Sequence, residues 1–182
     1  MTGEEILALY RSGDRERAFG ELVKSYSERL YWHVRGLTGN HEDTDDLLQD
    51  IFVKIWHSLP DFRGDSQLYT WVFRIATNET LNFLRKRSLR ATFGLDSPDV
   101  TDRVTDPDPY FDGDEAQRLL SVAVAKLPPR QRAVFHMRYF EEMPYEQMSQ
   151  IMGTSVGALK ASYHFAYEKV KDYLLRNFPD RF

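Results

Sequence analysis

Cysteine is absent from the 182 residues, which excludes disulfide staples, thiolate metal centres and cysteine nucleophiles and fits a reducing compartment. No stretch approaches the roughly 20 apolar residues of a membrane span. The opening MTGEEILALYRSGDRE has neither the basic start nor the apolar run of an export signal, so the expectation is a cytoplasmic protein without membrane insertion. An overall basic balance is also missing: 24 Lys and Arg stand against 28 Asp and Glu, a formal charge of −4. Composition alone therefore does not announce a nucleic-acid binder. No nucleophile, base and orienting group recur at a recognisable spacing, so no catalytic residues are assigned and the chain is not expected to be an enzyme. His41, Glu42, Asp43, Asp45 and Asp46 are hard-ligand types, but no second cluster completes a site, and no metal or other cofactor is assigned.

What the chain does have is apolar content, 42% of residues, enough for real cores in one domain or two small ones. Its charge is unevenly spread. Residues 91–115 hold 1 basic and 8 acidic side chains, and the remainder holds 23 and 20. The acidity belongs to one connector: residues 91–112 carry three prolines and six aspartates and no sustained periodicity, the pattern of an acidic linker that buries too little to order itself.

On either side the pattern is helical. Residues 4–12 predict a short helix stopped by Gly13, with Asp14 capping the next. From there Ala18, Phe19, Leu22, Val23, Tyr26, Leu30, Tyr31 and Val34 recur at helical spacing towards Gly39. These aromatics read as core. The third helix opens with four acids, as helix starts prefer. It has Leu48, Ile51, Phe52, Ile55 and Leu59 on a buried stripe and leaves Asp46, Gln49, Asp50, Val53 and Lys54 outward until Pro60 ends it.

The run from Arg63 to Arg90 carries two stripes. Ser66 is a candidate cap; Leu68, Val72, Ile75, Ala76 and Phe83 gather on the side a helix buries. Gln67, Trp71, Arg74, Asn78 and Arg85 fall beside them, and the run ends in Arg85, Lys86, Arg87 and Arg90. An aromatic, an amide and guanidinium groups are the types that stack on unpaired bases, read base edges and neutralise phosphate. The same residues would also make an ordinary core tryptophan and a solvated basic helix end. Before the run, Phe62 and Arg63 sit on a loop that could form a pocket for an extruded base.

In the second half, Ala116 to Leu127 predicts a helix closed by Pro128-Pro129, and Arg130 to Phe140 predicts another. MPYEQMSQIMG gives a short helix stopped by Gly153, and Ser155 caps a last helix reaching about Arg176. Helix, tight glycine turn, helix is the helix-turn-helix arrangement. In the last helix Leu159, Tyr163, Ala166, Val170 and Leu174 share the packing side, while Lys160, Ala161 and His164 face away as groove contacts.

Four strings carry a family resemblance: DDLLQDIFVKIW, FRGDSQLYTWVFRIATN, LPPRQRAVF and SVGALKASYHFA. The first two resemble region 2, and the last pair region 4, of extracytoplasmic-function (ECF) sigma factors, bacterial initiation subunits of RNA polymerase. The resemblance implies an all-α chain of two small helical domains. Residues 1–90 would be a region 2 helical bundle, 91–113 an acidic flexible linker through the RNA path, and 114–182 a region 4 helix-turn-helix domain. It implies docking on core RNA polymerase through Asp46, Gln49, Asp50 and Val53. It further implies capture of single-stranded minus-ten DNA by Phe62, Arg63, Trp71, Arg74, Asn78, Arg85 and Lys86, and reading of the minus-thirty-five duplex by Ser155, Lys160, Ala161 and His164. An anti-sigma factor is the further partner the family implies. Compared with many members, the last helix is poorer in arginine, carrying Ser162, Phe165 and Tyr167. Two rival readings stay open at this point: a helix-turn-helix regulator that acts as a dimer without polymerase, and a sigma-like decoy that titrates an anti-sigma factor.

Overall fold

The computed structural model describes residues 1–94 and 113–181, and among them every regular element is helical. Helix α1 spans Gly3–Arg11 and begins at a reciprocal capping box between Thr2 and Glu5. Helix α2, Arg15–Thr38, is capped by the Asp14 carboxylate and closed by Gly39 in the left-handed region at φ 83°, a conformation glycine adopts without a Cβ clash. Helix α3, His41–Ser58, starts at the Asn40 cap, and a 3₁₀ turn with Pro60 in its first positions follows. Helix α4 is Leu68–Thr92.

Two expectations are corrected in α4. Ser66 does not cap it: Gln67 occupies the cap position in extended backbone, without a side-chain bond to the first amides. At its other end the helix runs on to Thr92, two residues into the stretch read as linker. The linker reading itself falls on 95–112, which lie outside the described residues.

The C-terminal half comprises α5 (Glu115–Ala125), α6 (Pro129–Phe135), a π-helical turn (His136–Phe140), α7 (Tyr145–Met152) and α8 (Val156–Asn177). The single helix expected from Arg130 to Phe140 changes its winding at His136, and Glu142 leaves it at φ 51°, turning Met143 inward with its amide on the Met137 carbonyl. Gly153, at φ 62°, ends α7, and the Ser155 hydroxyl caps α8.

Helices α2, α3 and α4 bury Leu22, Leu30, Val34, Ile51, Ile55, Val72 and Phe73 between them, each worth about 1.5–3 kcal/mol over its exposed state. A second cluster inside the C-terminal half joins Leu119, Val124, Phe135, Ala166 and Val170. The halves are not held apart. Val134, Met137, Met143, Met148, Ile151 and Leu159 of the C-terminal half belong to the same apolar cluster as the α2–α4 core.

Candidate nucleic-acid interface

Helix α3 turns its buried stripe inward and leaves Asp46, Gln49, Asp50 and Val53 on the surface. Val53 is 57% exposed, and Trp56, one turn on, stacks edge-on against Phe19. The result is an acidic ridge with an apolar centre. Asp43 is taken out of it, because Arg87 pairs with its carboxylate at 2.6 Å and the Asn40 amide donates to it. Arg87, part of the basic run at the end of α4, is thus a brace between α3 and α4, packed over the Phe83 ring. Arg85 and Lys86 remain on the surface.

Phe62 and Trp71 meet with ring centres 5.2 Å apart, both half-buried, with Arg63 exposed on the loop beside them. The loop reaches this position because the 3₁₀ turn directs Phe62 back over α4, and Gly64, at φ 82°, bends the chain behind it. The pair forms an aromatic shelf rather than a sealed core contact. Asn78, two turns along α4, is exposed.

Arg74 and Asn78 do not face open solvent alone. With Ser149, Gln150, Ile151, Met152 and Gly153 of the C-terminal half they line one cleft. Arg74 donates through Nε and Nη2 to the Gln150 carbonyl, at 3.0 and 2.8 Å. That carbonyl lies in the last turn of α7, where acceptors lack helical partners and a cation suits the dipole. In the C-terminal half, Ser155, Lys160, Ala161 and His164 are all exposed, with Lys160 Nζ 5.7 Å from the Tyr145 ring centre. The Arg130 side chain bonds the Thr154 hydroxyl, fixing the turn before α8.

The contacts joining the halves went unread in the sequence. Arg132, a residue of LPPRQRAVF, is buried and donates to the Leu37 carbonyl across the boundary at 2.7 Å and to Ala125 and Leu127 in its own half at 2.7 and 3.2 Å. Burial, with Arg87 adding to it, draws its pKa down to about 10. His33 is fully buried on α2; its Nδ1 lies 2.6 Å from Glu141 and its Nε2 2.8 Å from the Thr77 hydroxyl. The available signals were a histidine on the apolar stripe between Leu30 and Leu37 and a glycine, Gly36, one turn from a helix end. Among the described residues no group of three or more His, Asp or Glu is arranged to hold a metal ion.

Comparison with known proteins decides the family. The family model for sigma-70 region 2 matches residues 22–90 and that for sigma-70 region 4 matches 117–170. The ECF RNA polymerase sigma factor SigE of Mycolicibacterium smegmatis is 30% identical over 168 residues, covering 88% of this chain and 63% of its own length. The ECF RNA polymerase sigma factor SigW of Bacillus subtilis is 26% identical over 174 residues, covering 90% of this chain and 92% of its own. The chain belongs to the ECF subfamily of sigma-70 factors. The fold agrees: the sigma factor RpoE of Bartonella quintana, solved in complex with the anti-sigma factor NepR, superposes with TM-score 0.66 at 22% identity over 87% of this chain and 98% of that one. Members of this family are initiation factors rather than enzymes. In this sigma factor, among the described residues, no helix is long and apolar enough to cross a membrane.

Proposed function

We propose that this sigma factor binds core RNA polymerase and directs promoter-specific initiation. Residues 1–90 dock on the polymerase and take the minus-ten element, 114–182 take the minus-thirty-five element, and the acidic stretch 91–113 spans between them. The α3 ridge of Asp46, Gln49, Asp50 and Val53 meets a basic partner surface. The Phe62–Trp71 shelf, Arg63, Arg74 and Asn78 hold bases extruded from the melted minus-ten strand, and Arg85 and Lys86 lie along its backbone. Trapping is needed because unstacking a base costs a few kcal/mol that capture must offset. Ser155, Lys160, Ala161 and His164 read the duplex in its major groove. An anti-sigma factor restrains the chain, which works in the cytoplasm.

The observation that carries this reading is the half-buried Phe62–Trp71 pair, 5.2 Å apart, with exposed Arg63 on the loop beside it and exposed Asn78 two turns along α4. An apolar core contact would have no reason to keep a guanidinium at its rim. Transcription in vitro with core polymerase and a promoter library tests it. Initiation at a defined sequence only when this chain is added is expected, and folded protein that supports none across many templates would overturn the reading.

A further inference from the structure

Helix α8 buries Leu159, Ala166, Val170 and Leu174 against the rest of the C-terminal half, which fixes its rotation about its own axis. Ala158, Ala161 and Phe165 then fall at i, i+3 and i+7, a single line along the exposed side. Lys160 and His164 run beside that line. Phe165 is 59% exposed, more than any other large apolar side chain in the described C-terminal half. Its ring centre lies 5.9 Å from that of the His164 imidazole.

A lone exposed apolar side chain is ordinary on a protein surface, so the position of this one matters more than its exposure. Tyr167 has a different setting: it borders an apolar groove with Phe135, Tyr139, Val170 and Leu174. Two residues of helix rotate the chain by about 200°, which turns Phe165 away from that groove and onto the side of Lys160, Ala161 and His164. From Val156 to Tyr167 this helix carries Lys160 and no acid, and the next acid, Glu168, is paired with Lys171 at 3.0 Å. A face without free carboxylates can enter a groove walled by phosphates. The ring therefore stands among groups suited to a duplex, with no apolar surface of its own half beside it to cover.

We infer that Phe165, with Ala161 one turn before it, contacts the C5-methyl groups of thymines in the minus-thirty-five duplex, which makes Phe165 a specificity-determining residue of this sigma factor. The inference rests on the duplex reading given above and names the base that is read. In the major groove thymine presents a methyl group beside its O4 acceptor, whereas cytosine presents an amino donor and no methyl. Alanine and phenylalanine are side chains that make apolar contact with that methyl. Lys160 and His164 place N–H donors next to the apolar line, which matches thymine's acceptor beside its methyl and opposes the amino edge of cytosine. Ala161 and Phe165 are four residues apart, about 6 Å along the helix. The thymines they meet therefore lie within about two base-pair steps of each other.

Holoenzyme reconstituted from core RNA polymerase and the full chain tests this on a promoter that supports initiation, with its downstream part held fixed and its upstream duplex randomised. Two libraries differ only inside the randomised window: one contains thymine, the other deoxyuridine, which lacks the methyl and nothing else. Bound templates are sequenced. The expected result is enrichment of thymine at one or two neighbouring positions, with uracil at the same positions enriched about fourfold less for each methyl lost. Phe165→Ala should erase the thymine-over-uracil difference at one position and keep the preferences elsewhere in the window. Its fold is retained, because the ring is exposed and alanine is the stronger helix former. Phe165→Arg should move that position towards guanine, whose O6 and N7 accept from a guanidinium, a change of base that a merely structural residue would not produce.

Equal enrichment of thymine and uracil by the native chain, or a methyl preference that survives intact in Phe165→Ala, would overturn the inference. So would a Phe165→Ala chain that forms less holoenzyme while keeping its base preferences, since the ring would then be a contact to protein. The two readings fail in different ways. A holoenzyme that selects a sequence in the window without regard to the methyl defeats the role of Phe165 and leaves the minus-thirty-five reading standing. A holoenzyme that finds no promoter, or is indifferent to the window, defeats both.

Discussion

Arg132→Met keeps most of the aliphatic bulk of this buried side chain while removing its donors. The guanidinium makes three bonds to main-chain carbonyls, those of Leu37, Ala125 and Leu127. Hydrogen bonds to a charged group contribute about 1.5–3 kcal/mol each, so the three together are worth roughly 5–9. Against them stands the burial of the charge, which draws the pKa down to about 10, a penalty of about 3 kcal/mol. Arg132 Nε, buried without a partner, adds to that penalty. The expected net loss is about 2–6 kcal/mol, a fall in Tm of at least about 4 °C for a chain of this size. Thermal unfolding followed by circular dichroism measures it. Arg132→Lys should fall between, because an ammonium on a flexible stem does not match three carbonyls set around a planar fork. A methionine variant that melts within 1 °C of the native chain would refute the view that this guanidinium ties the C-terminal ends of α2 and α5 together.

Asp50→Arg should abolish binding to core polymerase with stability unchanged within about 0.5 kcal/mol; retained binding in a pull-down would remove the α3 ridge from the docking surface. Asn78→Ala should weaken initiation at matched promoters by about 1–3 kcal/mol, and an unaltered promoter preference would take Asn78 out of the reading set. Lys160→Ala should lower affinity for duplex promoter DNA and reduce the salt slope of binding by about one, which a filter-binding series across salt concentrations would check; an unchanged slope would place Lys160 off the phosphates. Thr77→Val removes the hydroxyl that lies 2.8 Å from the buried His33 Nε2 and should cost about 1–3 kcal/mol in urea unfolding. Native-like stability would mean that the buried His33–Thr77 bond contributes nothing to the fold.

Much of the local structure was legible because helix signals are local. Asp14, Gly39, Pro60, Gly153 and Ser155 end or begin helices where their side chains or their missing Cβ dictate. Ser66 misled because a hydroxyl one residue before the cap position cannot reach the first free amides. The winding change at His136 was invisible because the spacing of apolar residues across Arg130 to Phe140 suits an α-helix. Its departure is set by packing of His136 against α2 and by Glu142 leaving the helix in the left-handed region. Arg87 shows the same boundary: as part of a basic run it looks like a phosphate contact, and only Asp43 at 2.6 Å makes it a brace.

Periodicity and motif order determined the helices, their buried sides and the family, since each depends on neighbours a few residues away in the chain. How one half sits on the other was decided by the tertiary structure alone. It rests on pairs such as Leu37 and Arg132, or His33 and Glu141, whose sequence separations of 95 and 108 residues leave no periodic trace. A fully buried histidine with both nitrogens bonded, and a glycine kept free of a Cβ by a ring from the other half, acquire their meaning only once folding has brought them together.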